Sequence, residues 1–364
     1  MYRRFLFVCI LFVCFNSLSQ SDYRFKNYTI NDGLSQSAAT TIIQDDNYSL
    51  WIGTQDGINR FDGKDIEVFE AASKKTPGLE SQYIICSEKT PDGKIWFGTD
   101  KDLTVYDPNI ERFKAYKYEN KSINVNSISK SDGSVLWVAT EKYGVLSFDL
   151  RSKKFKPLQG LKKRKKTHII KQINKTSLLI YAEPYYNTSE FINFNPITNK
   201  HKSLYFHSKN GKPVIVNKFV QKTAELILIA TNQGVYSYNL NTDELTSCYE
   251  NIEEKHGLIS IKDIVLTSKK TFLASQKHGL FTIDEEGKIA NSIEDDFRAT
   301  SLLVNRTSCL FQDYSGSIWI GTDRGVSNFD PNNSGFLGVG ASANKLKGLD
   351  SKNVWCFEES KSQH

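Results

Sequence analysis

Five-residue apolar runs, each closed by a small residue and a hydroxyl, punctuate this chain. The clearest are Leu50-Trp51-Ile52-Gly53-Thr54, Ile95-Trp96-Phe97-Gly98-Thr99, Leu136-Trp137-Val138-Ala139-Thr140 and Ile318-Trp319-Ile320-Gly321-Thr322. They are apolar at successive rather than alternate positions, which predicts strands buried on both faces. A tight turn and a second apolar segment ending in aromatic-Asp follow, as in Gly57-Ile58-Asn59-Arg60-Phe61-Asp62 and Gly325-Val326-Ser327-Asn328-Phe329-Asp330. A more polar strand comes next, Asp65 to Phe69 in the first copy. Weaker copies centre on Ala182, Ala230 and Ala274, so the small residue falls at 53, 98, 139, 182, 230, 274 and 321.

A period of roughly 40–50 residues holding four strands is the size of one propeller blade. The pattern therefore predicts an all-β protein, a seven-bladed β-propeller of four-stranded antiparallel blades. One blade cannot bury both of its faces alone; a closed ring of seven can, and it leaves few open edges. Gly or Ala is expected where neighbouring blades approach the axis and a larger side chain overpacks. The residue after it is Thr54, Thr99, Thr140, Thr231, Ser275 or Thr322, a hydroxyl able to bond the turn backbone, with Glu183 the exception. Gly57, Gly144, Gly234, Gly279 and Gly325 are expected at positive φ. Asp62, Asp107, Asp149, Asn195, Asn239, Asp284 and Asp330 suit Asx turns into the fourth strand. An ordinary β-sandwich does not explain seven copies in one register. Tyr23 to Ile30 precedes the first complete copy and is expected to close the ring as the outer strand of the last blade.

Residues 1–20 have the form of a signal peptide: Arg3 and Arg4, then an apolar run from Phe5 to Phe15, then small residues. Cleavage is expected near Ser19/Gln20, with an uncleaved anchor as the alternative, and the run is too short to span a bilayer. Residues 21–340 form the expected propeller. Residues 341–364 begin a further blade, because Gly348-Leu349 to Glu359 repeats Gly33-Leu34 to Asp45. The expected reading is the front part of a longer protein or a truncated product.

The 22 Phe and 17 Tyr suit a strand-rich core. A formal charge of +6 is mild for 364 residues and gives no reason to expect nucleic acid as partner. Cys86, Cys248, Cys309 and Cys356 lack metal spacing, and three of them lie in apolar runs, so inert thiols are expected. The basic run Lys162 to Lys166 reads as a solvated loop. No catalytic set, metal or cofactor is expected: the six His are scattered and no nucleophile elbow or phosphate loop occurs. Asp313-Tyr314-Ser315-Gly316-Ser317-Ile318-Trp319 approaches a sialidase Asp-box but has one residue too many between Asp and Gly, so it reads as a turn.

Propellers bind at the axial mouth, where second-to-third and fourth-to-first loops converge. Aromatic faces and hydrogen-bonding groups there suit a sugar. Tyr143, Tyr185, Tyr186, His278 and Arg324 are the predicted ligand-binding residues.

Asn59-Arg60-Phe61-Asp62-Gly63 after Trp51-Ile52-Gly53-Thr54, with Gly33-Leu34-Ser35 ahead, resembles the two-component regulator propeller repeats. The resemblance covers about residues 23–364. It implies the periplasmic sensor region of a Bacteroidetes-type two-component system, with an oligosaccharide as ligand. It also implies a second propeller and membrane-bound output domains in the full-length protein. A homodimer is also compatible with the sequence. The rival expectations are a propeller glycan lyase or glycosidase, and a protein-interaction scaffold.

Overall fold

The computed structural model describes residues 23–71, 77–161, 166–182, 190–295 and 298–332. The leader, the tail 341–364, Glu183, Tyr185, Tyr186, Cys356 and most of the basic run lie outside the described residues. Among the described residues the strands form seven antiparallel sheets of four strands each.

The innermost strands of blades 1 to 7 are Ala39–Gln44, Ile84–Lys89, Val125–Lys130, Thr167–Asn174, Val216–Gln221, Ile261–Leu266 and Thr307–Gln312. Each touches the innermost strand of the next blade, and the seventh touches the first, so the ring is closed. Six blades take all four strands from consecutive sequence. The seventh combines Thr307–Gln312, Ile318–Thr322 and Gly325–Phe329 with the N-terminal strand Lys26–Tyr28 on its outer edge. Lys26 faces Asn328, Asn27 faces Ser327 and Tyr28 faces Val326. The closure is also fixed by side chains. Ser327 Oγ donates to Asn27 Oδ1 at 2.7 Å, and the Tyr28 ring stacks on Trp319 at 5.6 Å.

The core is seven apolar layers rather than one centre, and each layer lies between two adjacent blades. The layer between blades 1 and 2 holds Trp51, Ile58, Phe97 and Tyr106, with Trp51 and Tyr106 rings 4.4 Å apart. Sheets apolar on both faces are thus buried on both faces, each large side chain contributing about 1.5–3 kcal/mol.

The turn chemistry follows the repeat. Thr54, Thr140, Thr231 and Thr322 donate to the carbonyls of Gly57, Gly144, Gly234 and Gly325 at 2.8–3.0 Å. All four threonines are buried. Asp62, Asp107, Asp149, Asn195, Asn239, Asp284 and Asp330 each accept from the backbone N–H two residues on. Asp313 is a turn former too: its Oδ1 takes the N–H groups of Ser315 and Ser317, and its Oδ2 takes Trp319 Nε1 at 2.8 Å.

Blade 4 departs from the expected register. Ile169 faces Tyr181, as Thr41 faces Gly53 and Ser127 faces Ala139, while Thr167 faces Ala182, as Ala39 faces Thr54. The small position is therefore held by Tyr181, and Ala182, not Glu183, replaces the hydroxyl. A glycine register was expected because a side chain there meets the next blade: a Cβ on Gly53 stands 2.6 Å from Ile84 Cγ2 and 2.7 Å from Thr41 Cγ2. At blade 4 the Tyr181 ring instead packs into the layer with Phe191, Val216 and Phe219.

Two features were not expected from the repeat. A short helix, Glu250–His256, fills the loop from blade 5 to blade 6. Every innermost strand also carries a bulge near its start, at Thr40, Ile85, Asn126, His168, Asn217, Lys262 and Ser308. A bulge re-aims the extra residue. Thr40, Asn126, Asn217 and Ser308 use it to donate to a carbonyl on the next blade's innermost strand, at 2.6–2.9 Å.

Candidate functional site

One end of the ring is built from two kinds of loop. The turns joining second to third strands are bonded to the loops that lead from one blade into the next. Gly57 N donates to Gln82 O, Glu141 N to Asn124 O, Asn232 N to Ile215 O, Gln276 N to Ser260 O and Asp323 N to Arg306 O. Ten backbone groups thus hold five turns, and the same end presents both loop sets to solvent.

Of the residues predicted to bind, the structure describes Tyr143, His278 and Arg324. They stand on blades 3, 6 and 7. Tyr143 N is held by Thr140 Oγ1, and its ring sits edge-on to Tyr118 at 5.2 Å, packed against the layer between blades 2 and 3. Arg324 has a side chain 67% exposed and pairs with Glu294 at 3.3 Å. His278 N is held by Ser275 Oγ, and its ring lies 5.7 Å from that of His256 on the short helix. His278 Nδ1, His256 Nε2 and Ser260 Oγ are buried without a hydrogen-bond partner. Burial, followed by the charge of His278, holds His256 below the usual histidine range.

Sequence reasoning missed other residues of this end. Asp102 occupies the turn position that is Gly57 in blade 1, fully buried, with Oδ1 accepting from Thr99 and Thr104 and Oδ2 unpartnered. Burial pushes its carboxyl above the usual range. The position could be found from the broken glycine register. Tyr83, Ile215, Leu258 and Ile293, on four blade-to-blade loops, leave apolar side chains exposed. At the opposite end, Tyr48 and Tyr314 are exposed and set edge to face at 5.7 Å.

The innermost strands carry charged side chains between the two ends. Lys262, Lys218, Lys171 and Lys130 come from the innermost strands of blades 6, 5, 4 and 3, each set deeper than the last along its strand. Among the described residues, Asp263 and Glu88 are carboxylates on these innermost strands. Lys218 Nζ lies 3.4 Å from Asp263 Oδ2, which also takes Leu310 N, and Lys130 lies 3.5 Å from Glu88. Asp263 holds Lys218 above the usual lysine range. Burial pushes Lys171 and Lys262 below it. Among the described residues, no group of three or more His, Cys, Asp or Glu is placed to hold a metal, and no helix is long and apolar enough to cross a membrane.

Residues 301–324, which hold the inner strand, the Trp strand and the following turn of blade 7, match the family described as "Two component regulator propeller". Over 49 residues the chain is 47% identical to Histidine kinase P4 of Formosa agariphila, covering 14% of this chain and 4% of that protein. The fold is similar to the extracellular domain of the hybrid two component system BT3049 from B. thetaiotaomicron. The TM-score is 0.71 at 23% identity, over 84% of this chain and 42% of that one. It is also similar to streptogramin B lyase, with TM-score 0.62 at 11% identity over 84% of this chain and 97% of that one. The chain thus spans less than half of the extracellular domain that it matches. Residues 301–324 thus carry one two component regulator propeller repeat, in the last of seven four-stranded blades.

Proposed function

We propose that this chain is an exported, non-enzymatic sensor propeller of a two-component system, and that an oligosaccharide is recognised at the axial mouth. The observation that carries the reading is the shared end of the ring. There, turns and blade-to-blade loops are locked together by backbone hydrogen bonds yet leave side chains open to solvent. Fixed loops that offer polar groups beside aromatic ones suit a sugar. The likeness to the extracellular domain of a hybrid two component system supports a sensing role. Binding acts on signalling only by favouring one arrangement of the longer protein over another. Calorimetry with a panel of neutral and acidic oligosaccharides tests the reading. A saturable heat with no release of product supports it; turnover of any of them supports a lyase or glycosidase instead.

A second reading has its own observation. Tyr83, Ile215, Leu258 and Ile293 crown the same end with exposed apolar groups, as a docking face for another domain requires. A second propeller of the full-length protein is the partner this reading names. Sedimentation of this chain with that domain separates the two: complex formation abolished by Ile215→Asp and Leu258→Asp supports docking, and sugar binding untouched by them supports recognition.

A further inference from the structure

Lys171 is placed where groups from four other blades act on it. Glu88 of blade 2, Lys130 of blade 3, Lys218 of blade 5 and Asp263 of blade 6 all interact with it electrostatically. The innermost strands of neighbouring blades touch all round the ring, so a side chain on one of them lies within reach of charges on several blades. Lys218 shows the same geometry, feeling Asp263, Cys309 and Glu88. Half of its side chain is nonetheless open to solvent, as on the wall of a water-filled channel.

Among the described residues the charges on these innermost strands do not balance. Lys218 is matched by Asp263 and Lys130 by Glu88. Lys171 and Lys262 make no ion pair or hydrogen bond with any described residue through their amines. Lys262 stands at the bulge near the mouth, and Lys171 lies three residues further along its own strand. At ~3.3 Å per residue that is about 10 Å deeper. An amine taken partly out of water without a counter-ion is costly unless something else supplies one. The two unmatched amines therefore stand at different depths along their strands, with Lys218 at a depth between them.

We propose that the axial channel is an oxyanion site: the end of an acidic oligosaccharide enters from the mouth, passing Lys262 and lodging a carboxylate or sulfate group against Lys171. This rests on the reading of the mouth as a glycan site and adds the charge of the ligand. Acidic units repeated along a chain meet lysines repeated along an axis, which a single small anion does not. The lowered basicity of Lys171 and Lys262 rises again when an anion binds, so binding takes up protons at alkaline pH.

The experiment is calorimetry on the whole folded chain with four probes: a galacturonate trisaccharide, a sulfated galactose disaccharide, a neutral galactose trisaccharide and sodium sulfate. At least one acidic saccharide is expected to bind tenfold or more tightly than the neutral one, and to weaken as salt rises. Lys171→Met is expected to remove that preference. Lys171→Arg is expected to keep it within about threefold, and Lys64→Met, on an exposed turn, to leave it unchanged. Thermal melts establish that each variant is folded; Lys171→Met removes an unmatched charge and is expected to melt no lower than the parent. Whether the carboxylate or the sulfate probe binds identifies the source of the anion. Equal binding of neutral and acidic sugars, or a preference unchanged in Lys171→Met, overturns the proposal, as does no binding of any charged probe. If sodium sulfate binds through Lys171 while no saccharide does, the oxyanion site stands and the glycan reading fails. If only neutral sugar binds, the reverse holds.

Discussion

Gly98→Ala tests the rule that shapes every blade near the axis. A Cβ built on Gly98 stands 2.5 Å from Cys86 Sγ on its own blade and 2.6 Å from Val125 Cγ1 on the next. Carbon atoms pack favourably at about 3.5–4.0 Å, so the methyl overlaps both neighbours by roughly 1 Å. Overpacking of this kind costs about 1–3 kcal/mol. Replacing glycine within a strand returns about 0.5–1 kcal/mol of backbone entropy. The net loss is then about 1–2 kcal/mol. For a ring of roughly 300 residues at about 2.1 cal/mol/K per residue, that lowers Tm by about 2–3 °C. Cys86→Ala removes the sulfur that the new methyl strikes, so the double variant recovers about 0.5 kcal/mol or more relative to the sum of the two single changes. Urea denaturation of the four chains of this cycle measures it. A Gly98→Ala chain as stable as the parent, or additive effects of the two changes, refutes the claim that blade approach dictates the small residue.

Thr322→Val removes the donor to Gly325 O and the acceptor of Arg324 N while leaving both buried or half-buried, and costs about 1–3 kcal/mol by denaturant unfolding. Tyr181→Ala should cost about 3 kcal/mol by the same measurement, since the ring fills the wide step between blades 4 and 5. Asp102 has a folded pKa raised by burial above its unfolded value of 3.8. Its contribution is complete below pH 3.8 and is lost as pH rises through the folded value. Asp102→Asn therefore flattens the fall in stability over that window, and an unchanged pH profile counts against a buried carboxyl. Burial pushes the Cys86 and Cys309 thiols up to about 12. At pH 8 only about one in ten thousand is thiolate, so neither is expected to react with a thiol reagent until the chain is denatured.

The blade count and the ring closure were legible because burial on both faces leaves a period that survives drift. The Trp strands, Gly57 and its counterparts, and the seven Asp or Asn turns all repeat for local backbone reasons, and each formed the bond its type suggests. Blade 4 misled because a register is read from one small residue, and Ala182 imitates it one step late; only strand pairing reveals Tyr181 in its place. The channel lysines were not legible for a related reason. Lys130, Lys171, Lys218 and Lys262 lie at four different depths of four different strands, so no spacing in the sequence brings them together. The contact of the Tyr143 ring with Tyr118 was not legible either, because nothing in a turn sequence shows which way a ring folds. The short helix that ends at His256 breaks the strand period, which hid the contact of His256 with His278.

The central claim is a ring of seven blades closed by the N-terminal strand. Hydrogen exchange of the Gly325–Phe329 amides, compared between this chain and one beginning at Thr29, tests it most directly. With Lys26–Tyr28 present, both edges of Gly325–Phe329 are paired. Removing that strand should accelerate exchange of the amides that face it by about a hundredfold or more, while the innermost strand Thr307–Gln312 stays protected. Equal exchange in the two chains would contradict the closure and, with it, the ring.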